Sequence, residues 1–490
     1  MNKKSAITSR NFPRLAWAWP EGGRNQLVLA AICPDENRAY EAIKAWLRET
    51  DLDDATFAEH RLLAAITTRF DARLTHHPEY ARLCGLQRLN WTRSRMAIAT
   101  SKPVLQEMVD AGLKVILLKG AARVALDISE QKSRTSYDLD LLLKPGDFEQ
   151  AFEILARHDW ASSRGESVLG LRARLSSVRA RNFKKGHFGD IDLHRFAYHT
   201  SSSDPHWEAE LFADLCEVEF YELKAYVPGP EERLAMAISH GGWDGQSHSD
   251  WLVDIAHILA TEPVDFTKFE SIVRGRGLQG AGSIALSYLS REVGLNIPDS
   301  TLHRICGQST YASPTQLPAL LLAKEAEAMS RAQKIVRRTI IGYKKLWYSG
   351  RNTVLDAPLF RAFTKVKPTA EADGYALSLP IALPDQVAEG AWRFDLTLET
   401  PAPVRSRRLE FELNSAKRNL CHLQAIHLKR SGDTLAMRFR GRVTLGPEDR
   451  SLVLDALPSK LVEDEIGSYD HQKYATIPFA LIDADLTRAS

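Results

Sequence analysis

Two carboxylates one residue apart carry the most chemical promise in this chain: Asp138 and Asp140, in Ser136-Tyr137-Asp138-Leu139-Asp140-Leu141-Leu142-Leu143. Side chains alternate along a β-strand, so these acids share one face roughly 6 to 7 Å apart while Tyr137, Leu139 and Leu141 take the other. Carboxylate oxygens so placed suit divalent cations. Two such ions about 3.5 to 4 Å apart can hold the phosphates of a nucleotide, activate an attacking oxygen and stabilise a leaving pyrophosphate. A pair of acids alone is weak, because surface turns carry many. Here Leu141, Leu142 and Leu143 continue without a polar break, the pattern of a strand buried on both faces. Acids in such a strand are costly unless a cation or a hydrogen-bond donor compensates them.

A second alternating run, Phe188-Gly189-Asp190-Ile191-Asp192-Leu193-His194, puts Asp190 and Asp192 on one face with His194 following on it. A neighbouring strand would bring this face to the first pair. Upstream, an apolar stretch from Val115 ends in Leu118-Lys119-Gly120 ahead of a helix from Ala121. Gly120 would let backbone N–H groups approach a phosphate, and Lys119 would add a point charge. Arg134, four residues before Asp138, would bind phosphate or hold that carboxylate by a forked hydrogen bond. Arg164, Arg172, Arg174, Arg179, Arg181, Lys184 and Lys185 gather around a single acid, Glu166, with little periodicity, which reads as a mobile basic loop. Such a loop would close over a triphosphate or steer an anionic acceptor such as RNA, the plainer alternative being a solvated face. Only Phe183 and Phe188 interleave it, so stacking of single-stranded nucleic acid is not supported.

In order and spacing, Leu118-Lys119-Gly120, Arg134 with Asp138-Leu139-Asp140, and Ile191-Asp192-Leu193-His194 resemble the uncharacterised nucleotidyltransferases of the DNA polymerase β-like superfamily. The likeness runs on through Pro228, Ser239-His240-Gly241 and Trp251-Leu252-Val253-Asp254-Ile255, over roughly residues 30 to 310. It implies Asp138 and Asp140 as ligands of both metals, and Asp192 as the third acid and ligand, the one that deprotonates or orients an acceptor hydroxyl. Asp190 is the alternative for that role. It further implies nucleotide binding by Lys119, Gly120 and Arg134, joined by Lys184 and Lys185 of the basic segment. His194, Asp190, His240 and Asp254 are expected around that shell, with core or capping roles as the alternative for the last and for His240. The implied cofactor is Mg²⁺ or Mn²⁺ and the implied substrate a nucleoside triphosphate, ATP being expected, whose nucleoside monophosphate passes to a hydroxyl of a protein, an RNA or a small molecule. Two departures stand out. The superfamily's Gly-Gly or Gly-Ser pair is here Lys119-Gly120 followed by Ala121 and Ala122, and Arg195 stands where an aromatic residue often follows the histidine.

The 490 residues, 44% hydrophobic and 26% charged, have the composition of a globular protein of two or three domains. A net charge of +2 argues against a wholly basic nucleic-acid coat. Cys33, Cys84, Cys216, Cys306 and Cys421 form no C-x-x-C pair, which speaks against a zinc ribbon and a disulfide framework and for a reducing, cytoplasmic setting. The apolar run from Leu15 to Trp19 is too short for a signal peptide, and no stretch reaches membrane-spanning length.

Four regions are expected. Residues 1–112 read as a helical cap, 113–227 as an α/β (α+β) nucleotidyltransferase core, 228–350 as a helical domain, and 370–490 as an all-β, sandwich-like accessory domain. The helix from Pro318 to Trp347 has a basic face that reads as solvated. The last region rests on short alternating runs at Tyr375–Leu379, Arg393–Leu398, Leu409–Leu413, His422–Leu428, Leu435–Phe439 and Ser451–Leu454. Two other functions compete: a non-catalytic nucleotide- or RNA-binding protein, or binding of a partner or glycan by the β-rich region. Oligomeric state is not legible in the residues.

Overall fold

The computed structural model describes residues 13–134, 136–163, 179–198, 205–243, 249–307, 311–324, 328–348, 362–366, 369–370, 378–383, 387, 389–401, 410–415, 418–431, 434–457 and 480–489. Arg164, Glu166, Arg172 and Arg174 of the basic segment, and Tyr375 to Leu377, lie outside these residues.

Mixed sheet structure is built from β1 (Ile116–Leu117), β2 (Leu139–Leu142), β3 (Ala161–Ser162), β4 (Ala180–Lys185), β5 (Gly189–His194), β6 (Leu215–Phe220) and β7 (Leu223–Pro228). β3, β4 and β5 neighbour one another in that order, as do β2, β1, β7 and β6. β1 lies antiparallel to β2, with Ile116 opposite Leu142 and Leu117 opposite Leu141, and parallel to β7, with Ile116 opposite Tyr226. All four residues of β2 are buried, as its unbroken leucines require.

β4 corrects an expectation. Residues 180–185, Arg181, Lys184 and Lys185 among them, form a strand of an antiparallel hairpin with β5 rather than part of a mobile loop. Arg181 and Phe183 alternate inward despite the run of cations, and Gly186 at φ +55° supplies the left-handed residue of the connection. Asn182 stands opposite Asp192 and Lys184 opposite Asp190.

Two compact units are present: residues 1–144 with 196–351, and 145–195 with 352–490. In the first, helices run over Gly22–Ile32, Glu36–Glu49, Phe57–Arg69 and Tyr80–Asp110. Their starts are set locally, by Asp35 accepting from the N–H groups of Asn37 and Arg38 and by a capping box between Thr56 and Glu59. Pro230, free of any N–H to satisfy, opens Pro230–Trp243, and Asp250–Thr261, Phe266–Gly275 and Gln279–Tyr288 follow. Leu27, Ile66, Ile116, Leu142, Ile238, Leu252 and Ile284 all enter one apolar core. Among the described residues no helix is long and apolar enough to cross a membrane.

In the second unit, Phe148–Arg157 is a helix whose Phe148 and Phe152 are fully buried. Beyond residue 361 the elements are strands: β8 (Ala362–Val366), β9 (Thr369–Ala370), β10 (Ser378–Ala382), β11 (Gly390–Pro401), β12 (Glu410–Ser415), β13 (Asn419–Ser431), β14 (Thr434–Leu445), β15 (Ser451–Leu457) and β16 (Ala480–Ala489). They pair antiparallel in the order β8-β16-β11-β14-β13-β12-β15-β10-β9. Alternate residues Trp392, Phe394, Leu396 and Leu398 of β11 meet Met437 and Phe439 of β14, Phe411 of β12 and Leu454 of β15 in one core. The molecule thus combines a mixed α/β sheet, consistent with a nucleotidyltransferase core, with antiparallel sheet structure near its C-terminus.

Candidate active site

Asp140 is the second residue of β2 and its carboxylate is 5% exposed. Its carbonyl accepts from the N–H of Leu118 at 3.0 Å, which locks β2 to the end of β1. Lys119, at the start of the helix Lys119–Leu126, places Nζ 2.5 Å from Oδ1 of Asp140. Its φ of +48° is one that a side chain with a Cβ rarely adopts. The strand-to-helix turn imposes that conformation.

Asp192 and His194 stand two residues apart on β5, so they share a face, and Nε2 of His194 lies 2.9 Å from Oδ2 of Asp192. A guanidinium nitrogen of Arg179 lies 3.4 Å from Nδ1 of the same ring. Asp140 stands on β2 in the first compact unit and Asp192 with His194 on β5 in the second, and the three make up a candidate metal group, each carrying an atom that could ligate an ion. Asp138 sits half-buried at the bend before β2, where its carbonyl accepts from the Ser136 hydroxyl at 2.8 Å. Two carboxylates suit Mg²⁺ or Mn²⁺, and an imidazole is a better ligand for Mn²⁺ than for Mg²⁺. The donor set fits the expected cofactor.

The segment leading to Asp138 is pinned from several sides. Tyr137 donates its hydroxyl to Oδ1 of Asn90 at 2.5 Å and packs its ring on Phe57, with centroids 5.0 Å apart. Arg134 makes the fork anticipated for Asp138 with a different acid: Nε and a terminal nitrogen donate to the two oxygens of Asp254 at 2.9 and 3.0 Å. Its remaining nitrogen reaches Asp250 at 3.1 Å. Burial works against the charge of Arg134, and Asp254 with Asp250 more than offset it, so its pKa lies above the ordinary arginine value. Asp254 also receives Arg123, which bonds Glu130 at 2.5 Å. Gly120 owes its place to this packing, since a Cβ there would stand 3.1 Å from the Ser136 hydroxyl and 3.2 Å from Arg134.

A cleft opens beside Lys119. Arg123, Arg134, His240, Asp250 and Asp254 give it polar walls, and Leu126, Met236, Trp251 and Ile258 an apolar side. Of the other anticipated residues, Lys184 pairs with Asp190 across the hairpin, and Lys185 donates to the carbonyl of His158 at 2.6 Å. His194, expected around the ligand shell, lies against Asp192. Sequence reasoning passed over Asp250, whose i,i+4 relation to Asp254 on one helix lets both reach Arg134.

Residues 54–292 match the profile of a family described as an uncharacterised nucleotidyltransferase. The matched segment contains Lys119, Arg134, Asp140, Asp192, His194 and Asp254 and ends before β8, so the C-terminal strands are outside it. The family's description supports a transferase at the coarse level, and a nucleotidyltransferase family implies a nucleoside triphosphate as substrate. No curated protein and no solved structure matches the chain significantly.

Proposed function

We propose that the protein is a metal-dependent nucleotidyltransferase that moves a nucleoside monophosphate from a nucleoside triphosphate, ATP in the first instance, to an acceptor hydroxyl. The observation that supports this reading is the presence of Asp140 on β2 and of Asp192 with His194 on β5, all candidate metal ligands, inside the family-matching segment. Asp140 and Asp192 would hold Mg²⁺ or Mn²⁺, with Asp138 close by at the strand entry, and the ion would neutralise triphosphate charge and favour attack at the α-phosphorus. The acceptor oxygen forms a bond to that phosphorus as the bond to the β-phosphate oxygen breaks. Asp192 takes the hydroxyl proton, and His194 fixes the orientation of its carboxylate. Lys119 offers positive charge to the triphosphate, and the cleft it lines receives the nucleoside against Trp251 and Met236. Residues 113–227 serve as the catalytic core, 1–112 and 228–350 as the helical surroundings, and 370–490 as an accessory β domain, all in the cytoplasm.

Pyrophosphate release tests the reading. Purified protein incubated with Mg²⁺ or Mn²⁺, each nucleoside triphosphate and cell extract releases pyrophosphate with at least one of them, and Asp140→Asn or Asp192→Asn lowers the release by about 10²-fold or more. Nucleotide binding without release by the intact protein favours the non-catalytic alternative.

A further inference from the structure

The cations that line the cleft differ in what holds them. Arg134 is clamped by Asp250 and Asp254, Arg123 by Asp254 and Glu130, and Arg233 by Glu262, all carboxylates outside the candidate metal group. Lys119 instead lies against Asp140, a member of that group. The carboxylate of Asp140 is 5% exposed, and a buried carboxylate needs a positive charge beside it; Nζ of Lys119, at 2.5 Å, supplies one. A divalent ion bound to Asp140 would supply the same compensation. Lysine presents a compact point charge on a flexible four-carbon stem rather than a fork, and Lys119 itself borders the cleft. Its left-handed backbone is a conformation that persists only where the surroundings enforce it, as residues at working sites are.

We propose that Lys119 is the resident counter-ion of Asp140, displaced by the metal and then captured by the triphosphate, so that metal and nucleotide bind with positive coupling. This rests on the nucleotidyltransferase reading. Displacement frees an ammonium at the mouth of the cleft just when the metal site fills. Nucleotide binding in turn removes the competitor for Asp140, and linkage makes the two effects equal in size.

The test measures Mn²⁺ binding to the full chain by electron paramagnetic resonance, with and without an ATP analogue whose α and β phosphorus atoms are joined by an uncleavable methylene group. Wild type is compared with Lys119→Met and with Lys119→Gly, the second of which also relieves the left-handed residue. The expected result is that both variants bind Mn²⁺ alone about tenfold tighter than wild type, the worth of one charge-assisted contact. In saturating Mn²⁺ both bind the analogue about tenfold more weakly, and the coupling seen in wild type disappears. Wild type and variants binding Mn²⁺ equally, or variants binding it more weakly, would overturn the exchange while leaving the metal site intact. Absence of Mn²⁺ binding from all three proteins, each shown to be folded by its thermal transition, would overturn the metal site itself.

Discussion

Arg134 grips Asp254 through two parallel hydrogen bonds of 2.9 and 3.0 Å, joining residues 120 positions apart and tying the approach to β2 to the helix Asp250–Thr261. Asp254→Ala leaves Arg134 with Asp250 and Arg123 with Glu130, so it should cost roughly 1–3 kcal/mol in urea unfolding, the penalty for losing buried charge-assisted hydrogen bonds. Arg134→Met combined with Asp254→Leu should recover part of that loss, because Asp250 keeps Arg61 and Arg123 keeps Glu130. A double variant no more stable than the single would show that the clamp is not a coupled pair.

Asp190 and Asp192 alternate on the same strand, yet Asp190 faces Lys184 across the hairpin while Asp192 faces His194. Pyrophosphate release should fall roughly 10²- to 10⁴-fold in Asp192→Asn, as expected for loss of a base, and stay within about threefold of wild type in Asp190→Asn. Equal loss in both would assign the role to the pair and not to Asp192.

Much of this site was legible in the sequence, and the reasons differ residue by residue. Asp140 could be placed because alternation and the following leucines mark a buried strand, and Asp192 because the same period repeats there. β4 was obscured since an arginine occupies an inward position, so that polarity hid the alternation that Phe183 continues. The partner of Arg134 was hidden by chain distance: nothing local distinguishes Asp254 from Asp138 as the acid its fork will find. The C-terminal strands announced themselves through short alternating runs, but β16 was missed.

His257 borders the cleft, and burial, aided by the charge of Arg123, lowers its pKa below the ordinary 6.5 in spite of Glu130 and Asp254. The unfolded chain then binds the proton first as pH falls. The contribution of His257 is complete above about pH 6.5 and is lost as pH drops through the lowered folded value. Urea midpoints should decline below pH 6.5 less steeply in His257→Asn than in wild type. Identical slopes would remove His257 from the pH dependence.

Tyr137 donates to Asn90 and stacks on Phe57, which fixes the bend that carries Asp138. Tyr137→Phe keeps the ring and loses the hydrogen bond, so thermal or urea unfolding should register a loss of about 1 kcal/mol. No change in stability would mean that the hydroxyl does not hold the bend.

The central claim is nucleotidyl transfer at the Asp140 and Asp192 carboxylates, and it is tested most directly by asking which phosphorus moves. The protein is incubated with Mn²⁺, cell extract and ATP labelled at either the α or the γ phosphorus, alongside Asp140→Asn and Asp192→Asn. Label from the α position appearing on an acceptor, with γ label found in pyrophosphate and neither movement in the variants, is the predicted result. Transfer of γ label to the acceptor, or α transfer that persists without the two acids, would contradict it.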